Sequence, residues 1–229
     1  MLSKNVTEID FSSPDFPVRH VGQSQTYLAI FMHGYGSDGQ DMAGLSAYFD
    51  QVLTDTVWLC PNAPGMTPMG GYQWFPLSDI SQRELDNGAA HAAPWLHAFI
   101  DKALAFYNIP AENLILGGFS QGAMMAMHVA FRRKVAPMAV LAFSGALTSE
   151  ALLETEIISR PKTFICHGEN DDVVYASYAK RADTVLKSLN VPVETHIYPE
   201  YPHTIPPEGA KAAVEFLKKI IIPKALNNF

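Results

Sequence analysis

Ser120 stands at the centre of Gly118-Phe119-Ser120-Gln121-Gly122, between the apolar run 113–117 and a stretch rich in alanine and methionine. This spacing is that of a nucleophile elbow, a strand-to-helix turn that holds the serine in a strained backbone conformation with its hydroxyl above the sheet edge. Glycines two positions to either side are needed because larger side chains would collide at so tight a turn. A serine hydroxyl becomes an effective nucleophile when a histidine takes its proton and an acid orients that histidine. With an elbow of this kind the acid and then the histidine follow in chain order, each on a loop at the C-terminal end of a later strand.

Residues of both kinds occur in such places. Segment 161–167 (PKTFICH) reads as a short apolar strand that breaks at Gly168 into Glu169-Asn170-Asp171-Asp172, so acids lie just beyond a strand end, and spacing alone does not choose among them. Segment 193–199 (VETHIYP) alternates in period two and opens into a loop that carries His203 before the last helix. His196 lies inside that strand and His167 closes the preceding one, which makes each a packed or hydrogen-bonded histidine. Upstream, 27–32 reads as a buried strand followed by the glycine-flexed loop His33-Gly34-Tyr35-Gly36. An oxyanion hole needs two backbone N–H groups aimed at one point, one from the residue after the nucleophile and one from such an early loop, so Gln121 and Tyr35 are the candidates. His33 reads as a pin for that loop.

The elements that must position these groups alternate between strand and helix, as in a mostly parallel sheet covered on both faces. After the strand at 27–32 the pattern predicts a helix at about 40–50, a strand at 56–60 and a long loop over 61–77 punctuated by prolines and paired glycines. Segment 81–107 reads as helical, with Pro94 expected to start or kink a helix within it. Strands at 113–118, 137–143, 162–167 and 193–198 then alternate with helices at 121–133, near 149, at 175–189 and at 207–221, the last ended by Pro223. Loop 61–77 follows the strand before the elbow strand and should overhang Ser120, so some of its Met66, Met69, Trp74 and Phe75 are expected to wall an acyl-binding pocket, the alternative being that Trp74 and Phe75 simply pack the loop onto the body. Met124, Met125, Met127, Val129 and Phe131 go nearly all round their helix, which marks burial against the sheet, with His128 a core histidine among them.

Composition bounds the answer. A chain of 229 residues that is 48% hydrophobic can bury one large core, and with no linker or repeat it is expected to be a single domain. A formal charge of −7 argues against a nucleic-acid partner, and the clusters Arg132-Arg133-Lys134 and Lys218-Lys219 read as solvated helix ends. Cys60 and Cys166 read as buried reduced thiols. Residues 1–16 lack a basic region followed by an apolar run, no stretch is long and apolar enough to span a membrane, and neither end carries a lipidation motif. No signal peptide or stable membrane insertion is expected, and the cytoplasm is the default compartment. No metal-ligand spacing occurs, so neither a metal nor a cofactor is implied.

His33-Gly34-Tyr35-Gly36, Cys60-Pro61-Asn62-Ala63-Pro64, Trp74-Phe75, the elbow, His167-Gly168-x-x-Asp171 and the late His203 together resemble the carboxylesterase/phospholipase family of α/β-hydrolases that includes acyl-protein thioesterases. The resemblance extends over nearly the whole chain. It implies the α/β-hydrolase fold, Ser120, Asp171 and His203 as a catalytic triad, and hydrolysis of a small-molecule ester or acylated substrate through an acyl-enzyme. The chain departs from the family pattern at Ala123, where a further glycine is usual, and in the acids Glu169 and Asp172 that flank Asp171. Other readings are a lysophospholipase-type esterase, a related peptidase, and a hydrolase-fold binding protein with a vestigial triad. Gly34-Tyr35-Gly36-Ser37-Asp38-Gly39 also matches a dinucleotide-binding G-x-G-x-x-G, but the next strand ends in Cys60-Pro61-Asn62 without the acid that a ribose hydroxyl requires.

Overall fold

The computed structural model describes residues 9–226; residues 1–8 and 227–229, on which the expected absence of a signal peptide and of terminal lipidation motifs bears, lie outside it. The chain runs β1 (Val18–Val21), β2 (Tyr27–Met32), α1 (Gly39–Leu45), β3 (Thr56–Leu59), a hairpin of β4 (Gly65–Met66) and β5 (Tyr72–Gln73), and α2 (Gln82–Tyr107). It continues through β6 (Leu114–Phe119), α3 (Gln121–Ala130), β7 (Ala139–Phe143), α4 (Glu150–Glu156), β8 (Lys162–Gly168), α5 (Ala176–Ser188), β9 (Val193–Tyr198) and α6 (Pro207–Leu226).

A seven-stranded sheet in the order β1-β3-β2-β6-β7-β8-β9 is parallel throughout except for β1, which pairs antiparallel with β3. Successive strand residues point to opposite faces, and both faces are buried. Leu28, Ile30 and Met32 of β2 enter a core shared with α2, α3 and α5, whereas Ala29 and Phe31 enter a second core shared with α1 and α6. Strand order reverses between β2, whose next strand lies to one side, and β6, which returns to the other. At such a switch point the loops leaving the two strands diverge and open a crevice at their carboxyl ends. Met32 pairs with Gly118 there, so the His33 loop and the Ser120 turn leave the sheet side by side.

Several elements differ from expectation. β1 was not foreseen, because its four residues follow Pro17 and mix charged with apolar types. Loop 61–77 contains the β4–β5 hairpin. α2 runs unbroken through Pro94; both Pro94 and Ala90 are exposed, so the carbonyl left without an amide partner faces water. α6 likewise continues past Pro223 to Leu226, since a proline near a helix end removes one backbone donor without ending the hydrogen bonds around it. α3 stops at Ala130, and Arg132 and Arg133 are ion-paired with Glu156 (2.7 Å) and Asp101 (2.6 Å) instead of standing free as a solvated helix end.

Candidate active site

Ser120 joins β6 to α3 with φ 54° and ψ −120°, a conformation that strains any residue with a side chain. The flanking glycines make it possible. A Cβ on Gly122 would lie 2.0 Å from the Met32 carbonyl oxygen, and one on Gly118 would lie 2.5 Å from the Gly122 carbonyl carbon. Ala123, the departure from the family pattern, is accommodated by Gly145, whose hypothetical Cβ would stand 2.6 Å from the Ala123 methyl. The turn is anchored by the Ser120 amide, which donates to Phe143 O of the neighbouring strand (2.9 Å).

The acid and the histidine come from loops after β8 and β9, stitched together by the Asn170 amide donating to Tyr201 O (3.1 Å). His203 Nδ1 donates to Asp171 Oδ2 at 2.7 Å, and the Phe119 ring packs on the imidazole with centroids 4.7 Å apart. Asp171 is buried, and its Oδ1 accepts from the amides of Val173 (3.0 Å) and Val174 (2.8 Å). These donors suit the acceptor-only character of a carboxylate. The neighbouring acids face elsewhere: Glu169 pairs with Lys180 at 2.7 Å, and Asp172 is exposed.

His167, read from the sequence as a packed or hydrogen-bonded histidine, holds the same acid from behind. Its Nε2 lies 2.6 Å from Val174 O and 3.1 Å from Asp171 Oδ2, so the proton is on Nε2 and is shared between the two oxygens. Burial pushes this imidazole below its ordinary range and keeps it neutral. The spacing His167-x-x-x-Asp171 was the only signal of this contact in the sequence.

The early loop is fixed from several sides. His33 Nδ1 donates to Gly34 O (2.7 Å), its Nε2 accepts from the Ala63 amide (3.0 Å), and burial holds the ring below its ordinary range. A Cβ on Gly34 would meet Ser120 Cβ at 3.3 Å, which places the loop directly over Ser120. The Gly36 amide donates to Tyr72 O (2.8 Å), while among the described residues the Tyr35 amide engages no acceptor. The Gln121 amide is the first of α3 and has no carbonyl within the helix to bond. Gln121 instead spends its side chain on loop 61–77, accepting from the Trp74 amide (2.9 Å) and donating to Phe75 O (2.8 Å).

A cavity of about 580 Å³ opens over these groups, lined by Ser120 and His203, by Tyr35 and Gln121, and by apolar side chains. The expected acyl wall is not part of it. Trp74 and Phe75 are 1% and 0% exposed, with Trp74 Nε1 donating to His33 O (2.9 Å) and its ring beside those of His33 and Trp95. Met66 and Met69 are 66% and 97% exposed on the hairpin, and none of the four lines the cavity. The hairpin folds outward and turns its aromatic end into the core, where a large ring gains more from burial than at a wetted rim. The observed walls are Met42, Leu77, Ile80, Met124, Val174 and Ile205. Met124, Val174 and Ile205 follow Ser120, Asp171 and His203 by four, three and two residues, a proximity that could have identified them.

A model of the phospholipase/carboxylesterase family matches residues 14–221. Acyl-protein thioesterase 1 of Mycosarcoma maydis is 29% identical over 224 residues, covering 87% of this chain and 93% of the relative. Lysophospholipase-like protein 1 of Mus musculus is 30% identical over 212 residues, covering 85% of each chain. Among solved structures, esterase PE8 superposes with a TM-score of 0.86 at 35% identity, covering 89% of this chain and 97% of the other. The acyl-protein thioesterase 2 of Zea mays shares the fold, with a TM-score of 0.70 at 24% identity over 90% of this chain and 98% of the other.

Proposed function

The chain belongs to the phospholipase/carboxylesterase family of α/β-hydrolases and is a hydrolase, and from that premise we propose that it cleaves carboxylic esters or thioesters through Ser120, His203 and Asp171. The observation that carries this reading is the pairing of His203 with Asp171 at 2.7 Å beside the strained Ser120 in one cavity. With Nδ1 engaged by Asp171, the Nε2 of His203 is the atom left to take the Ser120 proton as Oγ attacks the acyl carbonyl.

The tetrahedral oxyanion is received by the amides of Tyr35 and Gln121, the second supplemented by the positive end of α3. Collapse expels the alcohol or thiol, which takes the proton back from His203 and leaves the acyl group on Ser120. Water then attacks the acyl-enzyme, gives its proton to His203 and releases the acid, and the proton returns to Oγ. Asp171 holds the tautomer throughout and stabilises the charge of the imidazolium.

The buried free thiols Cys60 and Cys166, both pushed up to about 12 by burial, support placing this activity in a reducing compartment such as the cytoplasm. Among the described residues no helix is long and apolar enough to cross a membrane. The reading is tested with a fluorophosphonate probe. The wild-type protein should be labelled stoichiometrically and lose its hydrolysis of an aryl butyrate, and Ser120→Ala should take no label. Labelling that survives Ser120→Ala would move the nucleophile elsewhere.

A further inference from the structure

The cavity straddles the edge of the sheet, and its two ends differ chemically. On one side Met124 and Val174 belong to the core beneath α2 and α3, and Leu77 packs against it. Ile80 joins that side through its carbonyl, which accepts from Tyr178 of α5 (3.0 Å). On the other side Met42 belongs to the core beneath α1 and α6, with Phe119 and Ile205 packed against it. Ser120, on the turn between sheet and helix, lies between the two.

The first end carries the apolar side chains of Leu77, Ile80, Met124 and Val174. The second carries Ser37 and Asp41 beside Met42. Asp41 is exposed, its Oδ2 accepts from the Ser37 hydroxyl, and among the described residues its Oδ1 has no partner in the protein. Among the described residues no lysine or arginine lines the cavity, and the chain as a whole carries −7. The Asp41 carboxylate therefore sets the electrostatic potential of its end without a compensating cation.

An acyl chain gains from leaving water against Leu77, Ile80 and Met124, whereas laying it over Asp41 would strip water from a carboxylate that receives only one hydrogen bond. Resting on the ester-hydrolase reading above, we infer that the acyl group occupies the Leu77–Met124 end, the leaving group occupies the Asp41 end, and Asp41 is a specificity-determining residue that selects esters and thioesters with an uncharged or cationic leaving group. Substrates with a phosphodiester or polyphosphate on the leaving group are disfavoured. At a separation of several ångströms in a half-solvated cleft, one unit of charge on the leaving group changes kcat/KM by roughly 3- to 10-fold.

The test is a set of butyrate esters of similar size that differ in the charge of the alcohol: the choline ester, its neutral dimethylbutyl isostere and a sulfopropyl ester. A second, acyl-side pair consists of ethyl esters of a trimethylammonio acid and of its neutral isostere. In wild type, kcat/KM should fall from choline to neutral to sulfonate ester by roughly 3- to 10-fold per step, and the span should shrink in high salt. The ratios should collapse toward unity in Asp41→Asn, with folding checked by thermal melting. The acyl-side pair should respond little to Asp41→Asn. Equal rates across the alcohol series in wild type, a series insensitive to both salt and Asp41→Asn, or a charge preference confined to the acyl side would each overturn the inference. Hydrolysis of the neutral ester with no charge preference defeats the inference alone; no hydrolysis of any ester defeats the reading on which it rests.

Discussion

The turn around Ser120 and the loop 61–77 meet through the side chain of Gln121, and they use apolar residues in opposite ways. At the turn the backbone is strained and the neighbouring side chains, Phe119 and Met124, border the cavity. In the loop Trp74 and Phe75 are withdrawn into the core, the exposed methionines stand on an outward hairpin, and of its apolar residues the last, Leu77, reaches the cavity. The turn presents chemistry, and the loop supports it. Trp74 braces the His33 carbonyl, and the loop's own backbone is held by Gln121, the residue that follows Ser120. Substitutions on the two sides should therefore fail differently, one in turnover and the other in stability.

The largest effects belong to the turn and its partners. Ser120→Ala or His203→Ala should each lower kcat by on the order of 10⁴-fold with little change in melting temperature, and the double variant should be little worse because the residues act as a unit. Multiplicative losses, measured on an aryl ester, would mean that they act independently. Asp171→Asn should cost roughly 10²- to 10⁴-fold in kcat, by loss of the imidazole's tautomer and charge partner. Glu169→Gln and Asp172→Asn, at positions that point away from His203, should leave the rate nearly unchanged. A comparable loss at either would transfer the acid's function.

Trp74→Ala should instead destabilise the fold by about 3–5 kcal/mol in urea unfolding, the cost of emptying an aromatic site in a core. Whatever activity it loses should be lost alike for acetyl, butyryl and octanoyl esters, and Met69→Ala should change neither property. Met124→Ala, on the cavity wall, should weaken kcat/KM for octanoyl more than for acetyl esters by about 1–3 kcal/mol. The opposite assignment, with Trp74 selective for chain length and Met124 indifferent, would restore the loop as the acyl wall.

What could be read from the sequence was what is decided locally. The elbow glycines, the strand-end positions of Asp171 and His203, and the short apolar strands are enforced by contacts within a few residues or along one strand, so their spacing survives in the chain. The facing of loop 61–77 is decided by Gln121, His33 and Trp95, all distant in sequence, so apolar content alone pointed Trp74 the wrong way. The clasp of His167 on Asp171 was hidden for a related reason. A histidine closing an apolar strand looks the same whether it packs passively or holds an acid, and only the fold of 171–174 brings Val174 O and Asp171 Oδ2 to its Nε2.

A separate expected effect is the slope of stability with pH. Burial pushes His33, His128 and His167 down, His128 to about 3 from 6.5, so the folded protein keeps them neutral where the unfolded chain would protonate them. Their contribution is complete above the ordinary value and declines as pH falls below it, for His128 down to about 3 at up to about 1.4 kcal/mol per pH unit. Urea unfolding followed from neutral to acid pH should show this decline, and His128→Gln, which cannot titrate, should make it shallower. An unchanged slope would remove His128 from the linkage.

The central claim, that Ser120 becomes acylated, is tested most directly by acid-quenching the protein during turnover of an aryl butyrate and measuring intact and peptide masses. The account predicts a population heavier by one butyryl group, located on the peptide containing Ser120, that is present during turnover by wild type and by Asp171→Asn and absent in Ser120→Ala. Turnover that proceeds without any acylated species in either protein, or an acyl group on another residue, would contradict it.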